Sequence, residues 1–357
     1  MKSRVIQDGP EPERSGSHKM DACAKQMQRA MNVAGRMGGW SATHWKTAVF
    51  GWIACVLVFV LAPLGALALG AAVSGSLAPP AEAAMVMDED GVQMLYPSAP
   101  GAWYRLGAQD PNRAPGFTIE HQTPATARVE GALHYWNVPS YALTYASGGS
   151  GWTSRLHLYA SGGPQRYTWK TQRGYLASPA DVRNQEFTAY VRLHQILDPP
   201  RVALTLKIRG GAHTARDGDR ASCTMMTLEP GGARAVTRFR KELVHPQYDS
   251  VTLTPAFATA LVDNQWFGLK LVSYGVRGDA TKVVNRLYVD TAPFALATGK
   301  PQNQWRLLSE YVDVEGVSTG QYSKLADWGG WQTTVRTDGI HDLDFTLLSV
   351  REIMPPP

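Results

Sequence analysis

Several runs in the second half of the chain alternate apolar and polar residues, and their polar members are of kinds that hold anions and move protons. In 186–195, Phe187, Ala189, Val191 and Leu193 fall on one face of an extended strand, and Glu186, Thr188, Tyr190, Arg192 and His194 on the other. In 201–209, Val202, Leu204, Leu206 and Ile208 oppose Lys207 and Arg209. In 265–274, Phe267, Leu269 and Leu271 oppose Trp266, Lys270 and Tyr274; in 282–290, Val283, Leu287 and Val289 oppose Arg286, Tyr288 and Asp290. Cations interleaved with aromatic rings, against only Glu186 and Asp290 as acids, suit an anionic sugar chain. Arginine grips a carboxylate through two parallel hydrogen bonds, and rings stack on sugar faces. The competing reading is bland: alternation gives any half-buried strand a polar outer face.

Other segments add candidates. Arg209-Gly-Gly-Ala-His213-Thr sets a strand-end arginine beside a glycine pair, where backbone can approach a ligand. Arg238-Phe-Arg-Lys241-Glu242-Leu-Val-His245-Pro-Gln-Tyr248 gathers cations, a second histidine and a tyrosine. Trp328-Gly-Gly-Trp331 either presents rings to a sugar or caps the core. Arg216-Asp-Gly-Asp219 offers oxygens of the kind Ca²⁺ takes, or is a polar turn. Two carboxylate pairs, Asp342 with Asp344 and Asp313 with Glu315, share strand faces, but neither sits among sugar-stacking rings as glycoside hydrolysis requires. No P-loop, G-x-G-x-x-G or H-E-x-x-H occurs.

The elements that must position these residues are strands. Turn signals at Ser147-Gly-Gly-Ser-Gly, Ser161-Gly-Gly-Pro, Asp198-Pro-Pro, Glu229-Pro-Gly-Gly, Arg277-Gly-Asp, Thr298-Gly-Lys-Pro and Asp338-Gly punctuate them, and 344–353 reads as a final strand. Many short half-buried strands predict an all-β fold, an antiparallel sandwich or jelly roll, over 85–357. Charged residues make up 18% of the 357, and the net charge of +5 is too mild and dispersed for nucleic acid. Of Cys23, Cys55 and Cys223, only the last lies in this region, so neither an internal disulfide nor a cysteine metal site is expected there. The domain is expected to be a monomer without a cofactor.

Residues 47–81 carry no charge, long enough to span ~30 Å of hydrocarbon as a helix. Residues 1–46 hold eight Lys and Arg against four acids, and acids follow at Glu82, Asp88, Glu89 and Asp90. Positive charge stays inside, so 1–46 reads as a cytoplasmic leader, 47–84 as an anchor or signal, and 85–357 as an extracellular or surface-anchored domain. Ala81-Glu82-Ala83 has the small-residue spacing of a signal-peptidase site, so cleavage and retention through 47–70 both stand open. Within residues 36–70, Trp40-Ser-Ala-Thr-His44-Trp-Lys46-Thr-Ala-Val-Phe-Gly51-Trp52 resembles the first transmembrane helix of MMPL-type transporters of the RND superfamily.

A second resemblance covers roughly 88–353. Phe187-Thr-Ala-Tyr-Val, Arg209-Gly-Gly-x-His213-Thr, Cys223, Arg238-Phe-x-Lys241-Glu242, Trp328-Gly-Gly, Arg336-x-Asp338 and the run from Asp342 to Ile353 resemble secreted concanavalin-A-like jelly-roll proteins. Those proteins are related to polysaccharide lyases of the alginate and glucuronan type. Their Arg-Ser/Thr-Glu-Leu-Arg and Gln-Ile/Val-His signatures are absent, the nearest run being Arg192-Leu-His194-Gln195-Ile196.

The resemblance implies β-elimination on an acidic, uronate-containing polysaccharide. Arg209 or Arg192 would neutralise the carboxylate, and His213, His194 or His245 would take the C5 proton. Tyr274 or Tyr288 would protonate the leaving oxygen if nearby arginine lowers its pKa. Lys207, Lys241, Lys270, Arg286, Trp328 and Trp331 would hold substrate. The alternative is a lectin-like module that binds the same glycan without proton chemistry. On either reading, strands 187–193, 202–209, 267–274 and 283–289 are expected side by side, with their polar residues on one face.

Overall fold

The computed structural model describes residues 86–144, 150–159, 182–197, 201–211, 223–230, 235–244, 247–317 and 319–357. The leader, the apolar stretch, the segment likened to a transporter helix, His213, His245 and Arg216–Asp219 lie outside the described residues. The chain divides into two units, Met1–Ala83 and Ala84–Pro357, and the described residues belong to the second.

Among the described residues the strands are β1 (Val86–Met87), β2 (Gln93–Met94), β3 (Ser98–Arg105), β4 (Phe117–Ile119), β5 (Thr126–Glu130), β6 (Leu133–Pro139), β7 (Tyr141–Thr144), β8 (Ser150–Tyr159), β9 (Gln185–Ile196) and β10 (Ala203–Gly210). They continue as β11 (Cys223–Glu229), β12 (Val236–Val244), β13 (Gln247–Leu253), β14 (Trp266–Val276), β15 (Asp279–Asp290), β16 (Phe294–Ala295), β17 (Lys300–Pro301), β18 (Arg306–Val314), β19 (Gln332–Asp338) and β20 (Ile340–Ile353). One 3₁₀ turn, Glu120–Gln122, lies wholly within the described residues.

Two antiparallel eight-stranded sheets form a β-sandwich of the jelly-roll class. Sheet I runs β13-β12-β11-β10-β19-β8-β4, with β7 also on β8; sheet II runs β18-β15-β14-β9-β20-β6-β5, with β3 also on β20. The period-two apolar sets meet between them. Leu156, Leu158, Leu204, Leu206, Ile208, Phe239 and Val335 come from sheet I; Phe187, Val191, Phe267, Leu271, Leu287 and Phe345 come from sheet II. Each such side chain contributes on the order of 1.5–3 kcal/mol when fully buried. A one-residue slip of any strand would exchange these residues for its polar set, so the register is strongly held.

The expected neighbours are only partly neighbours. β9, β14 and β15 adjoin in sheet II. β10, the 202–209 strand, pairs with β11 and β19 in sheet I. Lys207 and Arg209 therefore do not share a face with Arg192, Lys270 or Tyr288. Alternation says which residues of one strand point the same way; it does not say which sheet the strand joins.

Candidate functional site

The outer face of sheet II, where the sequence analysis placed most of the site, is occupied by its own acids. Arg192 Nε donates to Asp344 Oδ2 at 2.8 Å and the guanidinium also meets Glu130; His194 Nε2 contacts the same Asp344. Lys270 Nζ donates to Glu186 Oε1 at 3.0 Å, and Arg351 Nη2 to Glu186 Oε2 at 2.7 Å. Arg286 pairs with Glu310 and donates to the Tyr96 hydroxyl, which lies 3.2 Å from the Tyr288 hydroxyl. Burial and Tyr96 push the Tyr274 phenol up to about 12, and Tyr288 also rises. This is opposite to the shift a tyrosine acid was expected to need. Asp344, one of the considered hydrolase carboxylates, is consumed in the Arg192 pair.

Three further expectations are corrected. Lys241 has no exposed side-chain surface: its ammonium donates to Asp313 Oδ1 at 2.9 Å and to the Lys324 carbonyl at 2.8 Å, tying β12 of sheet I to β18 of sheet II. Trp328 and Trp331 are buried rather than offered to a sugar. The Trp328 indole donates to the Arg209 carbonyl at 2.9 Å, and Trp331 stacks on Tyr159 with centroids 5.6 Å apart. Arg209 has φ +56° at a register shift between β10 and β19. The irregularity turns its guanidinium inward, where it donates to Ser273 Oγ on β14 and to the Trp328 carbonyl. Burial and Arg183 push its pKa down to about 10. Arg209→Ala is therefore expected to lower stability by about 1–3 kcal/mol, the loss of charged hydrogen bonds in the interior. Urea unfolding would show the shift, with glycan binding by the folded protein unchanged.

Sheet I carries a second polar group, on β8 and β19, from which no site residue was expected, beside β10, from which Lys207 was. Its ladders align Thr118, His157, Thr334, Lys207, Met225, Arg240 and Ser250 as one cross-strand row from β4 to β13. The next row includes Arg155, Arg336 and Arg238; on the other side Tyr159 faces Gln332. Lys207 is the sequence-selected site residue that the described residues bring into this group. A signal was present: Ser154-Arg155-Leu156-His157-Leu158-Tyr159 alternates as cleanly as the strands that were chosen.

His157 sits at the centre. Gln332 Nε2 donates to its Nδ1 at 2.7 Å, and Thr334 Oγ1 lies 2.9 Å from the same nitrogen. The ring proton is thereby assigned to Nε2, which donates to Glu120 Oε2 at 3.3 Å. Arg155 Nη1 reaches both Glu120 oxygens at 3.1 Å, while its buried Nε has no hydrogen-bond partner among the described residues. Burial works against the Glu120 carboxylate, but the His157 hydrogen bond and the Arg155 charge hold its pKa well below the usual range. Burial lowers the His157 pKa, outweighing Glu120, so the imidazole is neutral at pH 7. Lys207 donates to Glu242 at 3.2 Å and stays an ammonium, its pKa raised although burial works against the charge. Burial raises the Tyr159 and Cys223 pKa values, leaving a phenol and a thiol. Arg155, His157, Lys207, Cys223, Gln332 and Thr334 surround a cavity of about 20 Å³, room for about one water.

No family model matches the chain, and no curated protein matches it. Among solved structures, it is similar to the exoplasmic/lumenal domain of VIP36 in a Ca²⁺/Man3GlcNAc-bound form: 8% identity, 68% of this chain and 88% of that one, TM-score 0.37. It is also similar to an alginate lyase from Pseudomonas aeruginosa, with 12% identity over 63% and 85% of the two chains and TM-score 0.34. Lectin I-B4 from Griffonia simplicifolia gives 8% identity over 70% and 98%, with TM-score 0.31. The sandwich assignment stands on the strand pairing itself.

Proposed function

We propose that the protein is a polysaccharide lyase that cleaves an acidic, uronate-containing glycan by β-elimination on the outer face of sheet I. With 47–84 read as signal or anchor, this takes place outside the cell or at its surface. The observation that carries the reading is His157: a neutral imidazole, oriented at Nε2 by Glu120, with its Nδ1 beside Gln332 and Thr334 in a cavity that Arg155 and Lys207 also line. Arg155, Lys207 and the Gln332 amide would bind the uronate carboxylate and delocalise the charge that develops when C5 loses its proton. His157 Nδ1 would take that proton. Its ring lies 6.4 Å from that of Tyr159, whose pKa burial raises as it does that of Tyr274, so the departing O4 would take its proton from the imidazolium formed at His157 rather than from the phenol. One C–H and one C–O bond break, a C4–C5 double bond forms, and no water or cofactor is consumed.

Glycan capture without turnover is the second reading. It is favoured by the enclosure of the site, where His157 and Lys207 are each only 8% exposed. Incubation with polymers of mannuronate, guluronate, glucuronate and galacturonate separates the two. Elimination is expected to raise the ultraviolet absorbance of a conjugated unsaturated uronate on at least one polymer. Binding with no such absorbance on any of them would establish the second reading.

A further inference from the structure

Sheet II contains a point where one strand changes partner. β20 pairs with β6 through Asp342–Phe345 and with β3 from Ser349 onward. Between these stretches the register with β9 shifts and Leu347 adopts φ +48°. A branched residue in the left-handed region is held there against its preference, and bulges and outliers of this kind gather at binding sites. The handover leaves a cleft of about 590 Å³ beside the β5–β6 hairpin, within the ~300–1,000 Å³ of small-molecule sites.

The walls of the cleft combine Tyr135 and Trp136 with Arg128, His134 and Asp90, and small residues such as Ala127 and Ala108 leave the space between them open. We propose that this cleft binds a neutral saccharide unit of one or two rings. Tyr135, on the outer face with Leu347, offers a ring for the apolar C–H surface of a sugar, while Trp136, the next residue, turns to the other face and packs against the core. Arginine, histidine and carboxylate supply donors and acceptors for ring hydroxyls. Arg128 and Asp90 bring charges of both signs to the cleft, so no single-sign field selects an anion. Tyr135 is held before any ligand arrives, edge-on to Trp266 at 5.4 Å with the Arg192 guanidinium 5.0 Å from its ring centre. A fixed ring loses little freedom on binding. The cleft belongs to sheet II and the His157 group to the outer face of sheet I, so the inference does not rest on the lyase reading.

The test is calorimetric titration of the full chain with cellobiose, maltose and mannobiose, and with digalacturonate as the acidic counterpart. At least one neutral disaccharide is expected to bind in the millimolar range or tighter, and more tightly than digalacturonate. Ala127→Trp, an exposed position on β5, is expected to weaken that binding by about tenfold or more, a loss of 1.4 kcal/mol. His157→Ala is expected to leave it unchanged. If circular dichroism shows A127W misfolded, Ala108→Trp fills the cleft from another wall. Failure of all three neutral disaccharides to bind overturns the proposal. So does undiminished binding by the folded tryptophan variant, or abolition by H157A.

Discussion

Replacing His157 with alanine is expected to lower elimination by ~10²–10⁴-fold, the range for loss of a positioned acid–base group. Binding of the polymer should persist, because Arg155, Lys207 and Gln332 remain to hold the carboxylate. The pH profile gives a sharper readout. The active form of a base is its neutral form, and burial places the His157 pKa below the ordinary 6.5. As pH falls through 6.5 the rate should therefore hold, and decline only on further acidification, when the buried imidazole takes a proton. Glu120→Gln removes the carboxylate that favours the imidazolium, so the acid limb should move to lower pH still. A wild-type acid limb above pH 6.5, or an H157A variant with unchanged turnover, would remove His157 from the chemistry.

The second large effect lies on sheet II and concerns stability. Glu186→Ala leaves the Lys270 ammonium and the Arg351 guanidinium, 1% and 3% exposed, without their shared carboxylate. Breaking a buried pair by removing one partner costs about 3–5 kcal/mol, because a charge stays in the interior uncompensated. The midpoint of urea unfolding should fall accordingly, with an unchanged slope. Adding Lys270→Met should recover part of the loss, since an apolar side chain of similar volume suits the space. Were Glu186→Ala to leave the midpoint unmoved and instead change glycan binding, this face would be a ligand surface after all, as the sequence pattern first suggested.

The two faces show how far pattern alone carries. Arg192, Lys270 and Arg286 look like a cationic stripe within their own strands, where acids are few. Asp344, Glu130, Glu310 and the Arg351 that shares Glu186 arrive from β20, β5 and β18, far away in the chain. A charge balance counted along one strand omits these cross-strand partners. The His157 group shows the converse. Its members come from β8, β10 and β19 and from the turn after β4, no two of them a conspicuous motif. What joins them is the ladder that sets His157 opposite Thr334 and Thr334 opposite Lys207.

By itself the sequence determined the class of fold and the inside and outside of most strands. The apolar residues of 187–193, 202–208, 267–271 and 283–289 face the core as their period of two requires, because successive side chains of an extended chain must point to opposite sides. Only the tertiary structure decided which strands share a sheet, and so which polar faces meet. Strand order in an antiparallel sandwich is set by long-range pairing, and β8, β19 and β10 become neighbours across separations that no local periodicity records. It also decided the exceptions to alternation. At Arg209 a left-handed residue at a register shift turns a side chain expected on the surface into the interior, because a bulge reverses the sidedness that the pleat would otherwise impose.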